Sequence, residues 1–142
     1  MLFRSNHITD QDVFISVAAV ADYKVKNSSS QKMKKDGSGK VPVIELTENP
    51  DILASIASLP TPPFCVGFAA ESERVLEYAK IKRIRKNIPM LIANQISQSM
   101  GKTTNQITII DDENEISFPE TDKRQAADNI VQHLTTRLNR SS

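Results

Sequence analysis

Only one cysteine occurs among the 142 residues, Cys65, so no disulfide can form within the chain. A lone thiol suits a reducing compartment such as the cytosol. No run approaches the ~18 uninterrupted apolar residues of a membrane span, and the polar opening MLFRSNHITDQD has no signal-peptide core. Glycine is scarce, at four residues, and 39% of the chain is apolar, which excludes fibrous and disordered classes. The two histidines, His7 and His133, have no cysteine or carboxylate at metal-ligand spacing, so no zinc site is expected. An excess of charge is missing too. A formal net charge of +1 does not mark a general nucleic-acid or membrane binder. The length suits one α/β domain and is too short for two.

What the chain does have is an uneven distribution of cations. Residues 24–40 hold six lysines (Lys24, Lys26, Lys32, Lys34, Lys35, Lys40) against the single Asp36. Residues 80–86 add Lys80, Lys82, Arg83, Arg85 and Lys86 with no acid. Eleven of the eighteen basic residues therefore sit in two short segments, which gives a compact polyanion two places to dock.

The hydrophobic pattern alternates between strands and helices. VFISVAA (13–19), FCVGFAA (64–70) and PMLIAN (89–94) read as buried strands, and VPVIELT (41–47) as a half-buried one. Residues 20–40 are polar and rich in Ser, Gly and Lys, so a flexible loop is expected there. Asn49 is expected to N-cap a helix with Pro50 in its first turn and Asp51 near the positive end of its dipole. From Glu71 to Asn87 a second helix is expected, with Ile81, Ile84 and Ile88 as one stripe and Lys82 and Lys86 on another face with Val75 and Ala79. QITII (106–110) and EISF (115–118) form a predicted hairpin, and Ala127, Ile130, Val131, Leu134 and Leu138 give the last helix its period. Strands alternating with helices predict an α/β fold with a mostly parallel sheet in one domain.

Several residues invite chemistry. GSGK (37–40) is not a phosphate-binding P-loop, because it lacks the earlier Gly, the hydroxyl after the Lys and a preceding strand. Cys65, inside an apolar run, reads as a small buried hydrophobe, and His133 as a solvated residue on a polar face. The loop Lys32-Met33-Lys34-Lys35 is either a solvated tether or a mobile lid that brings ammonium groups over phosphates. Asp22 follows the first strand, where ligands of open parallel sheets bind; it either holds a ligand or caps a turn. The strand ends Gly67-Phe68-Ala69-Ala70-Glu71 and Ala93-Asn94 point the same way and suggest a nucleotide crevice.

Taken in order, Ala18-Ala19-Val20-Ala21-Asp22-Tyr23, Lys32-Met33-Lys34-Lys35, Asn49-Pro50-Asp51-Ile52-Leu53, Gly67-Phe68-Ala69-Ala70-Glu71, Lys82-Arg83-Ile84-Arg85-Lys86 and Ala93-Asn94 resemble the phosphopantothenate–cysteine ligase family. The resemblance covers the chain from about Val13 to the final helix. It implies a Rossmann-like three-layer sandwich whose C-terminal part is a β-hairpin plus a helix. It also implies CTP-dependent joining of 4′-phosphopantothenate to cysteine through an acyl-cytidylate, with Mg²⁺ accompanying CTP. FMN is implied only where a decarboxylase domain is fused upstream.

Position by position, the resemblance makes Ala18 and Asp22 part of a cytidine pocket and Lys32 the catalytic lid lysine, inside a lysine-rich lid at 24–40. Pro50, Asp51, Ile52, Leu53 and Phe68 fall on further nucleotide-contact positions, and Lys82 and Lys86 on the pair near the triphosphate. No metal ligands are assigned. A cytoplasmic homodimer is implied, with no nucleic acid or membrane as partner. Gln95 stands where the family has an acid, and Gly101-Lys102 where it has Gly-Phe. The family's first strand, Gly-rich loop and acyl-cytidylate Asn have no counterpart here, so the 142 residues alone are expected not to complete the reaction. The alternative is a non-catalytic nucleotide-binding or interaction fragment.

Overall fold

The computed structural model describes residues 8, 10–18, 20–29, 31, 37, 39, 41–71, 74–95 and 104–140. Strands β1 (Val13–Ser16), β4 (Phe64–Glu71) and β5 (Met90–Gln95) lie parallel in that order. The sheet continues through β6 (Thr104–Ile110) and β7 (Glu115–Ser117), both antiparallel to their neighbours, and β8 (Thr121–Asp122) also pairs with β6. The expected mostly parallel centre and the C-terminal hairpin plus helix are both present.

Helix α1 (Ile52–Ala57) precedes β4, α2 (Val75–Arg85) connects β4 to β5, and α3 (Lys123–Arg140) ends the described chain. Because side chains alternate across a strand, β4 and β5 feed two cores. Cys65, Ala69, Leu91 and Ala93 pack with Leu53 and Ile56 of α1 and Ala79 of α2. Val66, Met90 and Ile92 pack on the opposite face with Ile107, Ile109 and the α3 residues Ala126, Ile130 and Leu134. A strand covered on both faces needs apolar residues at every position, which is why β4 and β5 read as continuous runs. Gly67 is the exception, and its lack of a side chain is required. A Cβ there would stand 2.8 Å from Ile88 Cδ1 and 2.9 Å from Leu53 Cδ2.

The segment between β1 and α1 departs from expectation. Its loop contains β2 (Tyr23–Val25), which pairs antiparallel with β3 (Leu46–Glu48) in a separate two-stranded ribbon. The expected half-buried strand at 41–47 is irregular until Leu46, and Val41, Val43 and Ile44 are exposed. An alternating pattern cannot tell a strand of the central sheet from a ribbon that stands away from it.

Helix α2 also corrects the sequence reading. Ile88 is buried, but Ile81 and Ile84 are 54% and 71% exposed. The face that meets the sheet is instead the one with Leu76 and Ala79, since a small residue allows close helix–sheet approach. The helix ends where Asn87 adopts a left-handed φ of 50°. The N–H of Asn87 bonds Ile84 O and that of Ile88 bonds Arg83 O, the paired bonds of a Schellman motif. That turn drives Ile88 into the core. On α3, Ala126 and Arg137 are buried, while Val131 is exposed, contrary to the predicted stripe.

Candidate functional site

A cavity of about 920 Å³ opens at the carboxyl ends of β1 and β4. Its mouth is formed by Ser16, Val17 and Ala18 after β1, and by Ala21 and Asp22 beyond them. Asn49 fixes this mouth. Its side-chain Nδ2 donates to Ala21 O at 2.8 Å and its backbone N–H to Asp22 O at 2.7 Å. Asn49 therefore does not cap α1 as expected. It ties the end of the ribbon to the segment carrying Asp22, and so brings Asp22 beside Pro50 and Asp51.

The cap of α1 is Asp51, whose Oδ1 accepts the N–H of Ala54 at 3.1 Å. Its other oxygen, Oδ2, accepts a hydrogen bond from Lys86 Nζ across the groove between α1 and α2. Burial pushes the Asp51 carboxyl upward. The Lys86 hydrogen bond, the Ala54 N–H and the charges of Lys86 and Arg85 outweigh that and hold it below the usual carboxylate range. The Lys86 side chain is 15% exposed, so this ammonium lies largely within the fold instead of on a solvated helix face. Lys82, about one turn before Lys86 on α2, and Arg85, next to Lys86 in sequence, line the same cavity.

Nine of the ten residues expected at the site line this one cavity: Ala18, Asp22, Pro50, Asp51, Ile52, Leu53, Phe68, Lys82 and Lys86. The tenth, Lys32, lies outside the described residues together with Lys34 and Lys35. The alternation of β4 then divides the nine. Gly67 and Ala69 face α1 and α2 with Lys82 and Lys86, whereas Phe68 packs toward the α3 side. The cavity thus straddles the end of the sheet. On the α3 side it is lined by Asn94, Asn105, Ile107, Lys123, Ala126 and Ala127. Sequence reasoning marked Asn94 as a strand end and Arg85 as part of a cation cluster, but gave no signal for Asn105 or Lys123 as neighbours of the cavity. Only the antiparallel return of β6 and the docking of α3 bring Asn105 and Lys123 to it.

Far from the cavity, at the other end of β5 and β6, lies a second charged cluster. Asp111 follows β6, and its side chain is completely buried. Its Oδ1 accepts the backbone N–H groups of Glu113 (2.8 Å) and Asn114 (2.6 Å), and its Oδ2 lies 2.8 Å from His133 Nε2. Arg137 stands 3.6 Å away through Nε and also pairs with Asp112 and Glu113. Burial raises the Asp111 carboxyl. The hydrogen bonds from His133, Glu113 and Asn114 and the charge of Arg137 bring it below its ordinary range. His133 is therefore not the solvated residue that the sequence suggested. Cys65 is buried as expected, and burial pushes its thiol up, away from reactivity.

Among the described residues no three His, Cys, Asp or Glu side chains are grouped as metal ligands. No described helix is long and apolar enough to cross a membrane.

Comparison with known proteins finds relatives in sequence and in fold. The profile of the family described as "DNA/pantothenate metabolism flavoprotein C-terminal domain" matches residues 3–138. The coenzyme A biosynthesis bifunctional protein CoaBC of Vibrio cholerae is 42% identical over 130 residues, covering 89% of this chain and 32% of that protein. The protein of the same name from Escherichia coli is 45% identical over 93 residues, covering 64% of this chain and 23% of its own length. The crystal structure of the C-terminal domain of a coenzyme A biosynthesis bifunctional protein CoaBC superposes with a TM-score of 0.73 at 31% identity, over 95% of this chain and 59% of that one. The chain spans about a third of the length of these curated relatives, or less.

Proposed function

Because the chain belongs to the DNA/pantothenate metabolism flavoprotein C-terminal domain family, we propose that it serves coenzyme A biosynthesis as the nucleotide-binding part of a CTP-dependent phosphopantothenate–cysteine ligase. The observation that carries this reading is the meeting of Asp22, Asp51, Lys82 and Lys86, from three separate stretches of sequence, around one cavity.

The proposed chemistry begins from a poor electrophile. The carboxylate of 4′-phosphopantothenate attacks the α-phosphorus of CTP, forming the acyl-cytidylate and releasing pyrophosphate. The amine of cysteine then attacks the acyl carbon, the acyl–oxygen bond breaks, and CMP leaves with 4′-phosphopantothenoylcysteine formed. The leaving pyrophosphate gathers negative charge, so preorganised cations around it lower the barrier. Lys82, Arg85 and Lys86 supply such charge along the α2 wall. Lys32, as the lid lysine, adds another. Asp51 keeps the Lys86 ammonium in place before a ligand arrives. Mg²⁺ bound with the triphosphate supplies further neutralisation. Asp22, which lines the cavity, would hold it as a single carboxylate ligand, with phosphates and water completing its shell.

Two expected results test this reading. Pyrophosphate release from CTP and 4′-phosphopantothenate should be negligible with the chain alone and should appear when the upstream ligase segment of a CoaBC relative is supplied. Release with neither partner segment nor lag would show the catalytic groups to lie within these 142 residues; none in either case favours a non-catalytic binding fragment.

The chain should also dimerise through its ribbon. Tyr23, Val25 and Leu46 of the ribbon, and Val41, Val43 and Ile44 in the segment leading into it, are all exposed, an apolar surface that favours a partner over water. Light scattering after size exclusion should give a dimer mass, and Val43→Asp with Ile44→Asp should give monomer. A wild-type monomer at tens of micromolar removes the dimer from the proposal.

A further inference from the structure

Two carboxylates line the cavity, and they are held in different ways. Asp51 is fixed through its own side chain, by the Ala54 N–H and by Lys86. Asp22 is exposed, and its carboxylate makes no hydrogen bond or ion pair among the described residues. Whatever sets its place must therefore act through the main chain. Placement matters at such a group, since a shift of about 1 Å at a reacting centre costs up to ~100-fold in rate.

The main chain at Asp22 is held by one residue, Asn49. The Asn49 backbone N–H donates to Asp22 O at 2.7 Å, and its Nδ2 donates to Ala21 O at 2.8 Å. The first bond continues the ribbon by one step, since Tyr23 pairs with Glu48 and Asp22 then lies opposite Asn49. The second bond owes its place to the residue that follows. Pro50 has no N–H, and its ring keeps the residue before it out of the helical region. The ladder therefore ends at Asn49, and its side chain turns onto Ala21 O. Two residues later Asp51 caps α1 and meets Lys86. Asn49 thus stands, half-buried, where the ribbon, the segment after β1 and the start of α1 come together.

We propose that Asn49 is a positioning residue of the nucleotide site, holding Asp22 in place at the cavity that Lys82 and Lys86 also line. The inference rests on the nucleotide-binding reading and adds to it a residue that acts through another. Asn49 has no charge to offer a triphosphate, and its Nδ2 is engaged by Ala21 O. Its effect on the ligand therefore passes through the Asp22 carboxylate. The chemistry of the side chain matters as well as its size. Aspartate has the same shape but no N–H to donate, and alanine keeps the backbone bond alone.

The test is a pair of double-mutant cycles read by calorimetry with CTP and magnesium. Asn49→Ala should weaken CTP about tenfold, and Asn49→Asp at least as much, because neither side chain can donate to Ala21 O. Added to Asp22→Ala, Asn49→Ala should cost no more than about a further twofold, since the carboxylate it positions is gone. Added to Lys82→Met, whose side chain shares no bonded partner with Asn49 among the described residues, it should cost its full tenfold. A general loosening of the fold would add to both. Asn49→Asp keeps the shape of the side chain, so it runs the same cycles should the alanine variant fail to fold. Wild-type affinity in Asn49→Asp, or a full tenfold loss on top of Asp22→Ala, would overturn the role of Asn49 and leave the nucleotide reading standing. No CTP binding by the unsubstituted chain would sink that reading, and this role with it.

Discussion

Replacing Asp111 by Ala should lower the stability of the fold by about 3–5 kcal/mol, the range for removing one partner of a buried ion pair. The carboxylate is wholly buried and joins three things that are distant in sequence: the 111–114 turn, His133 and Arg137. Truncation leaves the two backbone N–H groups and the α3 side chains without the acceptor around which they are arranged. Thermal unfolding should show a midpoint lowered by roughly 10–20 °C. The pH dependence has a definite sign. The carboxyl is held below its ordinary range in the folded chain, so its contribution is complete above the unfolded Asp value near ~4 and fades as the pH falls through the lower folded value. The gap between wild type and Asp111→Ala should therefore be widest near neutrality and narrow below pH ~4. A gap that grows on acidification would mean that the cluster is held by something other than the ionised carboxylate.

The second large effect is expected at Lys86. Lys86→Met should weaken CTP roughly 10–100-fold, the scale of a lost hydrogen bond to a charged group. Two losses act together. The ammonium no longer meets the phosphates, and the Asp51 carboxylate that it neutralised is left facing an incoming polyanion. Asp51→Asn is the informative contrast. It removes that carboxylate while retaining a good N-cap for α1, so CTP should bind at least as tightly and the fold should barely change. Calorimetry on both variants reads the difference. Equal weakening by the two changes would place the phosphates away from this pair.

How much of this was legible beforehand depended on whether local pattern or long-range packing decided each element. β4 and β5 were legible because burial on both faces leaves an unbroken apolar run, and their ends marked one edge of the sheet. Gly67, Phe68 and Asn94 were placed at the cavity by that reasoning alone. VPVIELT was misread because exposed Val41, Val43 and Ile44 carry the same alternation as a core strand. The Ile81–Ile84 stripe failed for a different reason. Ala79 lets α2 sit close to the sheet, and the larger residues are then turned to solvent. His133 was assigned to the polar face of α3 because its partner Asp111 lies 22 positions earlier, on a different element. The capping role passed from Asn49 to Asp51 because Asn49 is engaged by Ala21 and Asp22, a contact that requires the ribbon to fold back. Of the candidate site, the residues on the α1–α2 side were found from cation clustering and resemblance. Those on the α3 side, Asn105 and Lys123, were not, since single polar residues carry no pattern.

Selectivity of this cavity for cytidine nucleotides is read out by calorimetry of the folded chain with CTP, ATP and GTP in the presence of magnesium. The proposal predicts that CTP binds at least tenfold more tightly than either purine nucleotide, a difference of about 1.4 kcal/mol. Equal affinities for the three, or none from a chain whose amide spectrum shows it to be folded, would contradict it.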